Sequence, residues 1–278
     1  MDSMLSLEKV THYFGGLKAV SNFNLELPDG ALYGLIGPNG AGKTTIFNLI
    51  TGIYTPTQGT IKLMNESIIG KKPYQIVHMG VARTFQNLRI FGSLSVLDNI
   101  RIARHYTVGK SKHIGNRKHK ESAELVHTNL FDSIFRTKNY RKAEKQITDE
   151  AKDLLHLIKL DDVIDEQAKS LPYGKLRKLE IARALATHPS VLLLDEPAAG
   201  MNPAEIGELM DLIHFIRDNF KITILLIEHH MKVVMGICEY IKVIDFGETI
   251  AEGKPVEVAN NPRVIEAYLG KEEGKCSQ

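Results

Sequence analysis

Gly37-Pro38-Asn39-Gly40-Ala41-Gly42-Lys43-Thr44 is the stretch that decides how this chain folds. It fits the pattern G-x-x-x-x-G-K-[ST] without a gap. Glycines at these positions let main-chain N–H groups turn inward around phosphate oxygens. A lysine in the register of Lys43 reaches the β- and γ-phosphates, and the hydroxyl of Thr44 reaches Mg²⁺. The flanks agree. Ala31-Leu32-Tyr33-Gly34-Leu35-Ile36 reads as a buried strand before the loop, and Thr45-Ile46-Phe47-Asn48-Leu49-Ile50 as a helix after it that stops near Gly52. A glycine-rich turn without a ligand would not need that setting. A nucleoside triphosphate is the predicted ligand, with contacts from Gly37 through Pro38, Asn39, Gly40, Ala41, Gly42, Lys43 and Thr44 to Thr45.

Outward from the loop, two patterns alternate. Leu5 and Leu7, and Phe23, Leu25 and Leu27, interleave with polar residues, and the second set ends at Pro28-Asp29-Gly30. Such alternation predicts antiparallel strands with one wet face. Val191-Leu192-Leu193-Leu194 and Ile222-Thr223-Ile224-Leu225-Leu226-Ile227 are continuous apolar runs, as parallel strands buried on both faces require. A helix-like stretch, Ala204–Asn219, separates them and completes a strand–helix–strand unit. Ile241–Asp245 and Glu248–Glu252 flank Phe246-Gly247, which predicts a hairpin.

From about Asn87 to Ser170 the chain is charged and helix-favouring, with no buried-strand run. Asp149–Leu160 carries apolar residues at helical spacing. His105–Arg141 is basic and weakly periodic, the pattern of a solvated face or, alternatively, of a contact with lipid headgroups or a partner. Its histidines, His105, His113, His119 and His127, do not make a metal-ligand spacing. The predicted fold is therefore α/β: a mostly parallel core, an N-terminal antiparallel β subdomain and an inserted helical lobe. Residues 1–86 and 188–278 form the core and 87–187 the lobe, within a single domain of 278 residues.

Bulk properties set limits. A net charge of +2 predicts no polyanion partner. The longest apolar runs are far too short to cross a bilayer. Met1-Asp2-Ser3-Met4 lacks the basic start and apolar stretch of a signal peptide. The two cysteines, Cys238 and Cys276, offer neither metal spacing nor a disulfide framework. The expectation is a soluble, intracellular protein, unless a partner holds it at a membrane.

A strand ending in Asp195-Glu196 fits the second half of a P-loop ATPase. Asp195 would hold Mg²⁺ opposite Thr44, and Glu196 would orient and deprotonate the attacking water. Just before that strand stands Leu171-Pro172-Tyr173-Gly174-Lys175-Leu176-Arg177-Lys178-Leu179-Glu180-Ile181-Ala182-Arg183-Ala184-Leu185, which resembles the signature segment of ATP-binding cassette (ABC) proteins. Over nearly its whole length the chain resembles the ABC ATPase subunit.

The resemblance implies the remaining assignments. Gln86, in Ala82-Arg83-Thr84-Phe85-Gln86, resembles the glutamine that touches Mg²⁺ or the attacking water. His229, after Ile227-Glu228, resembles the switch histidine that bonds the γ-phosphate, with His230 beside it as the other register. Phe14 resembles the aromatic that stacks on adenine, Tyr13 is the second candidate, and a core role is the alternative for both. Two such subunits face head to tail, and the signature loop with Gly174 and its helix N-terminus caps the γ-phosphate on the partner's P-loop. Pro197-Ala198-Ala199-Gly200-Met201-Asn202 falls where the family's D-loop crosses that interface.

One departure stands out against the family pattern Leu-Ser-Gly-Gly-Gln or Leu-Ser-Tyr-Gly-Gln: Pro172 replaces serine and Lys175 replaces glutamine. Pro172 removes a hydroxyl and a main-chain N–H. Lys175 would restore some attraction if its ammonium reached the phosphate. The expectation is a working ATPase with weakened trans contact; a regulatory or poorly hydrolysing subunit is the alternative.

Phe14-Gly15-Gly16-Leu17, Asp195-Glu196-Pro197-Ala198-Ala199-Gly200, Ile227-Glu228-His229 and Asn261-Pro262-Arg263-Val264-Ile265-Glu266-Ala267-Tyr268-Leu269-Gly270 resemble the ATP-binding subunits of bacterial branched-chain amino-acid importers, as does the long insertion before the lobe resumes. That resemblance implies ATP and Mg²⁺ as cofactors and a second ATPase subunit, identical or related, as partner. It also implies transmembrane permease subunits docking near Gln86–Asn99, a solute-binding protein reached indirectly, and a peripheral location on the cytoplasmic face of the inner or plasma membrane. No nucleic acid is expected. A lipopolysaccharide or lipid exporter and a soluble, non-transport ABC protein are the alternative readings.

Overall fold

The computed structural model describes residues 3–105 and 137–269. The chain divides into two compact units: one runs through Val77 and resumes at Ser190, and the other spans His78–Pro189. The insertion histidines His113, His119 and His127 lie outside the described residues.

The first unit holds two sheets. The antiparallel one has the order β2-β1-β4-β5 and contains β1 (Ser3–Phe14), β2 (Leu17–Pro28), β4 (Gln58–Leu63) and β5 (Glu66–Ser67). β1 and β2 pair with Leu5 opposite Leu27 and Leu7 opposite Leu25, so the alternating leucines share one buried face, as their spacing predicts.

The second sheet places β3 (Leu32–Ile36), β7 (Val191–Asp195), β8 (Thr223–Ile227), β9 (Tyr240–Asp245) and β10 (Glu248–Gly253) in the order β10-β9-β3-β8-β7. β9, β3, β8 and β7 run parallel. Every residue of β7 and β8 is buried, which is why these strands read as unbroken apolar runs. β9 and β10 form the predicted hairpin, turning on Phe246 (φ 44°) and Gly247 (φ 81°). Three helices follow parallel strands: α1 (Lys43–Ile50), α6 (Pro203–Phe220) and α7 (Met231–Ile237). The start of α6 is written locally. Asn202 accepts from the amides of Ala204 and Glu205, Glu205 reaches back to the Asn202 amide, and Pro203 occupies the first turn.

α2 (Pro73–His78) leads into the second unit, which contains β6 (Val81–Arg83), α3 (Val96–His105), α4 (Lys138–Leu157) and α5 (Tyr173–Leu185). α4 covers most of the helical spacing read at Asp149–Leu160 and starts earlier, capped by Thr137. Ala143, Ile147, Ala151, Leu154 and Leu155 make its buried stripe, which packs on α3. Ion pairs fasten the same two helices: Arg101 to Glu144, and the buried Arg104 to Glu150. Among the described residues no helix is long and apolar enough to cross a membrane.

Candidate active site

In a parallel sheet the loops that follow neighbouring strands leave from one edge, where ligands collect. The loops after β3, β8 and β7 carry Gly37–Gly42, Glu228–His230 and Glu196–Asn202, so the topology gathers the predicted chemistry without help from any single contact.

The Gly37–Gly42 loop needs its glycines for steric reasons. A Cβ on Gly37 would collide with the carbonyl oxygen of Ile244, and one on Gly42 would stand 2.6 Å from that of Ala19. Gly42 also has φ 105°, a conformation L side chains rarely adopt. The loop is braced from outside by the Gly247 amide, which donates to the Ala41 carbonyl at 2.9 Å. Lys43 is buried, and its ammonium bonds the carbonyls of Gly37 and Pro38 at 2.7 and 2.9 Å. Thr44 and Thr45 lie in the first turn of α1, where amides have no intrahelical acceptor and attract anions.

β7 ends on the buried Asp195. The next residue, Glu196, has φ 48°, unusual for a residue with a Cβ. Its amide donates to the Ile227 carbonyl at 2.9 Å, and its carboxylate meets the Nε2 of His229 at 2.6 Å. Of the two histidine registers, His229 is the one joined to Glu196; His230 occupies the N-cap position of α7 without a side-chain capping bond.

Phe14 ends β1 with 42% of its surface exposed, its ring roughly perpendicular to those of His12 and Tyr54. Tyr13 is 38% exposed and lies under the Lys18 ammonium. Neither ring belongs to the core.

Gln86 and Gly174 belong to the second unit. Gln86 is exposed and follows a main chain gripped by two buried residues that the sequence reading did not single out. Arg177 donates to the carbonyls of Phe85 (2.8 Å) and Gln86 (2.6 Å) and pairs with Glu180 (2.8 Å), whose other oxygen accepts from the Phe85 amide (3.2 Å). Their i, i+3 spacing with opposite charge was the available signal, and it looks the same as any surface helix pair. Pro172 is the N-cap of α5 and offers no side-chain bond, with Gly174 in the first turn. The Lys175 ammonium is bound to Asp162, so it is engaged within its own unit. That hydrogen bond holds the Asp162 carboxyl below the usual range.

Two family models match the sequence. Residues 20–199 match the model of the ABC transporter family, and residues 248–274 match that of the branched-chain amino acid ATP-binding cassette transporter. The chain belongs to the ABC transporter family. It is 44% identical over 268 residues to the high-affinity branched-chain amino acid transport ATP-binding protein LivG of Escherichia coli K12, an alignment covering 96% of this chain and 98% of LivG. The corresponding protein BraF of Pseudomonas aeruginosa is 41% identical over the same length. Among solved structures, the ABC transporter cassette MJ1267 in its ADP conformation superposes with a TM-score of 0.79 at 29% identity, covering 97% of this chain and 100% of that one. The fold also matches a dimeric cassette, MJ0796 in a post-hydrolysis state bound to ADP and Pi, with a TM-score of 0.69 at 21% identity. The α/β core with its antiparallel subdomain is thus the ABC ATPase fold, and the chain is an ATP-binding, ATP-hydrolysing subunit.

Proposed function

We infer that this subunit hydrolyses MgATP to drive uptake of branched-chain amino acids through separate permease subunits, working as one of a pair of ATPase subunits at the cytoplasmic face of the membrane. The observation that carries the chemistry is the Glu196–His229 contact at 2.6 Å on the strand edge that also bears Gly37–Thr45. The observation that carries the substrate class is the likeness to LivG and BraF over almost the entire chain.

In this reading the amides of Gly37–Thr45 and the Lys43 ammonium hold the triphosphate, and Phe14 stacks on the base. Stacking of that kind contributes about 1–3 kcal/mol. The Thr44 hydroxyl and the Asp195 carboxylate are oxygen donors suited to Mg²⁺; the ion would neutralise phosphate charge. Glu196 accepts the proton of the water that attacks the γ-phosphorus in line, while His229 keeps the carboxylate oriented and bonds the γ-phosphate. Gly174 and the first turn of α5 cap the partner's nucleotide. ATP favours the closed pair because only closure adds these trans contacts, and hydrolysis removes them. With Pro172 lacking donors and Lys175 held by Asp162, the trans contact rests on main-chain amides of α5.

Steady-state hydrolysis by three forms of the purified chain tests the reading. The wild type turns over; Lys43→Ala loses productive MgATP binding; Glu196→Gln binds MgATP and dimerises while hydrolysing very slowly. Normal turnover by Lys43→Ala, or a Glu196→Gln chain that stays monomeric in saturating MgATP, would remove this mechanism.

A further inference from the structure

Glu228 closes β8 with its carboxylate almost wholly buried, 1% exposed, and no ion pair to it is present among the described residues. Burying an unpaired carboxylate is costly unless hydrogen bonds replace its water. Here the replacement is main-chain N–H alone. Oε1 accepts from the Ala198 amide at 2.6 Å, and Oε2 accepts from the amides of His229 and His230 at 3.0 and 3.1 Å.

These bonds join two loops. Ala198 sits in the loop after β7, two residues beyond Glu196; His229 sits in the loop after β8. The imidazole of His229 reaches back to the carboxylate of Glu196 at 2.6 Å. A closed ring results, running from the Glu196 side chain to the His229 ring, through the His229 amide to Glu228, on to the Ala198 amide and back along the chain to Glu196. The Glu196 amide, bonded to the Ile227 carbonyl, ties the two strands at its base. Ala198 is fully buried, whereas Gly200 and Asn202 farther along the same loop are exposed. The loop therefore has a buried root on Glu228 and an exposed tip. A hydroxyl or amide side chain could serve one of these loops; two acceptor oxygens on one carboxylate serve both.

We propose that Glu228 is a positioning residue that couples the Pro197–Asn202 loop to the Glu196–His229 pair, so that seating the loop tip on a second ATPase subunit sets the hydrolytic carboxylate. This rests on the reading of Glu196 and His229 as the hydrolytic pair. Both carboxylate oxygens of Glu228 are engaged by main-chain amides, so it acts through the placement of His229.

Glu228→Gln is the test, because it keeps the shape and one acceptor oxygen while turning an N–H₂ toward one of the loops. In the full-length chain, affinity for a fluorescent ATP analogue stays within about threefold, while single-turnover hydrolysis slows about 10- to 100-fold, the loss expected of a charged hydrogen bond that positions a reacting group. In a His229→Ala background the same change slows hydrolysis less than about threefold, because the ring is already open. A merely structural role would give the same factor in both backgrounds. Should Glu228→Gln melt much below the wild type, Glu228→Asp, which keeps the charge and withdraws it by one methylene, is put through the same cycle and shows the same dependence on His229. Wild-type hydrolysis by the folded variants, or equal losses with and without His229, overturns the proposal. Glu196→Gln run alongside separates the two levels: wild-type turnover by that variant sinks the hydrolytic reading itself.

Discussion

Arg177→Met is the perturbation whose cost follows most directly from the structure. Arg177 is 1% exposed and its guanidinium holds the Phe85 and Gln86 carbonyls, the Tyr173 hydroxyl and Glu180. Methionine fills much of the same volume, so packing changes little. What changes is electrostatic, for Glu180, 5% exposed, loses its bonded guanidinium and keeps only the field of Arg183. Breaking a buried pair from one side typically costs about 3–5 kcal/mol. Each abandoned carbonyl that water does not reach adds about 1–3 kcal/mol, not additively. A loss of about 4 kcal/mol is expected for the single variant, and about 2 kcal/mol or less for Arg177→Met with Glu180→Leu, which removes the stranded charge. Urea unfolding followed by far-UV circular dichroism measures both. A single variant costing under about 1 kcal/mol, or a double variant costing the sum of its parts, would refute the idea that this pair clamps the main chain at Gln86.

Three further outcomes follow from the same geometry. Gly42→Ala places a Cβ against the Ala19 carbonyl at φ 105° and should lower stability by about 1–3 kcal/mol and weaken nucleotide binding, read by thermal melting with and without MgATP; an unchanged melting temperature would contradict it. Asp162 titrates below the ordinary aspartate value of about 4 because Lys175 donates to it. The pair's contribution is therefore complete above that value and is lost only as pH falls through the depressed one; Lys175→Met should return the Asp162 midpoint to the ordinary range in a carboxyl NMR titration, and no movement would show that the pair does not form in solution. Burial pushes the Cys238 thiol well above its usual range, so iodoacetamide at pH 8 should label that residue only after denaturation, and labelling in the native chain, seen by peptide mass mapping, would disprove its enclosure.

The elements that could be read from the sequence are those whose signal is local. Gly37–Thr44 carries its own geometry in its glycines, β7 and β8 announce two-sided burial in consecutive apolar residues, and the Phe246-Gly247 turn marks its hairpin. What stayed hidden depends on partners distant in the chain. Glu228 looks like any strand-end carboxylate until Ala198 is seen bonded to it, and Arg177 looks like a solvated helix charge until Phe85 and Gln86 stand against it. Lys175 illustrates the converse: its charge invites a phosphate, yet Asp162, also in the second unit, holds the ammonium. Most of the basic His105–Arg141 stretch falls outside the described residues; at its near end His105 meets Glu144 at 3.1 Å.

The decisive assay is uptake of labelled leucine in cells lacking this chain and complemented with wild type or with Glu196→Gln. Uptake should be restored by the wild type alone, since transport requires both this subunit and the carboxylate that activates water. Equal uptake in the uncomplemented and both complemented cells would contradict it, leaving an ABC ATPase whose cargo is not a branched-chain amino acid.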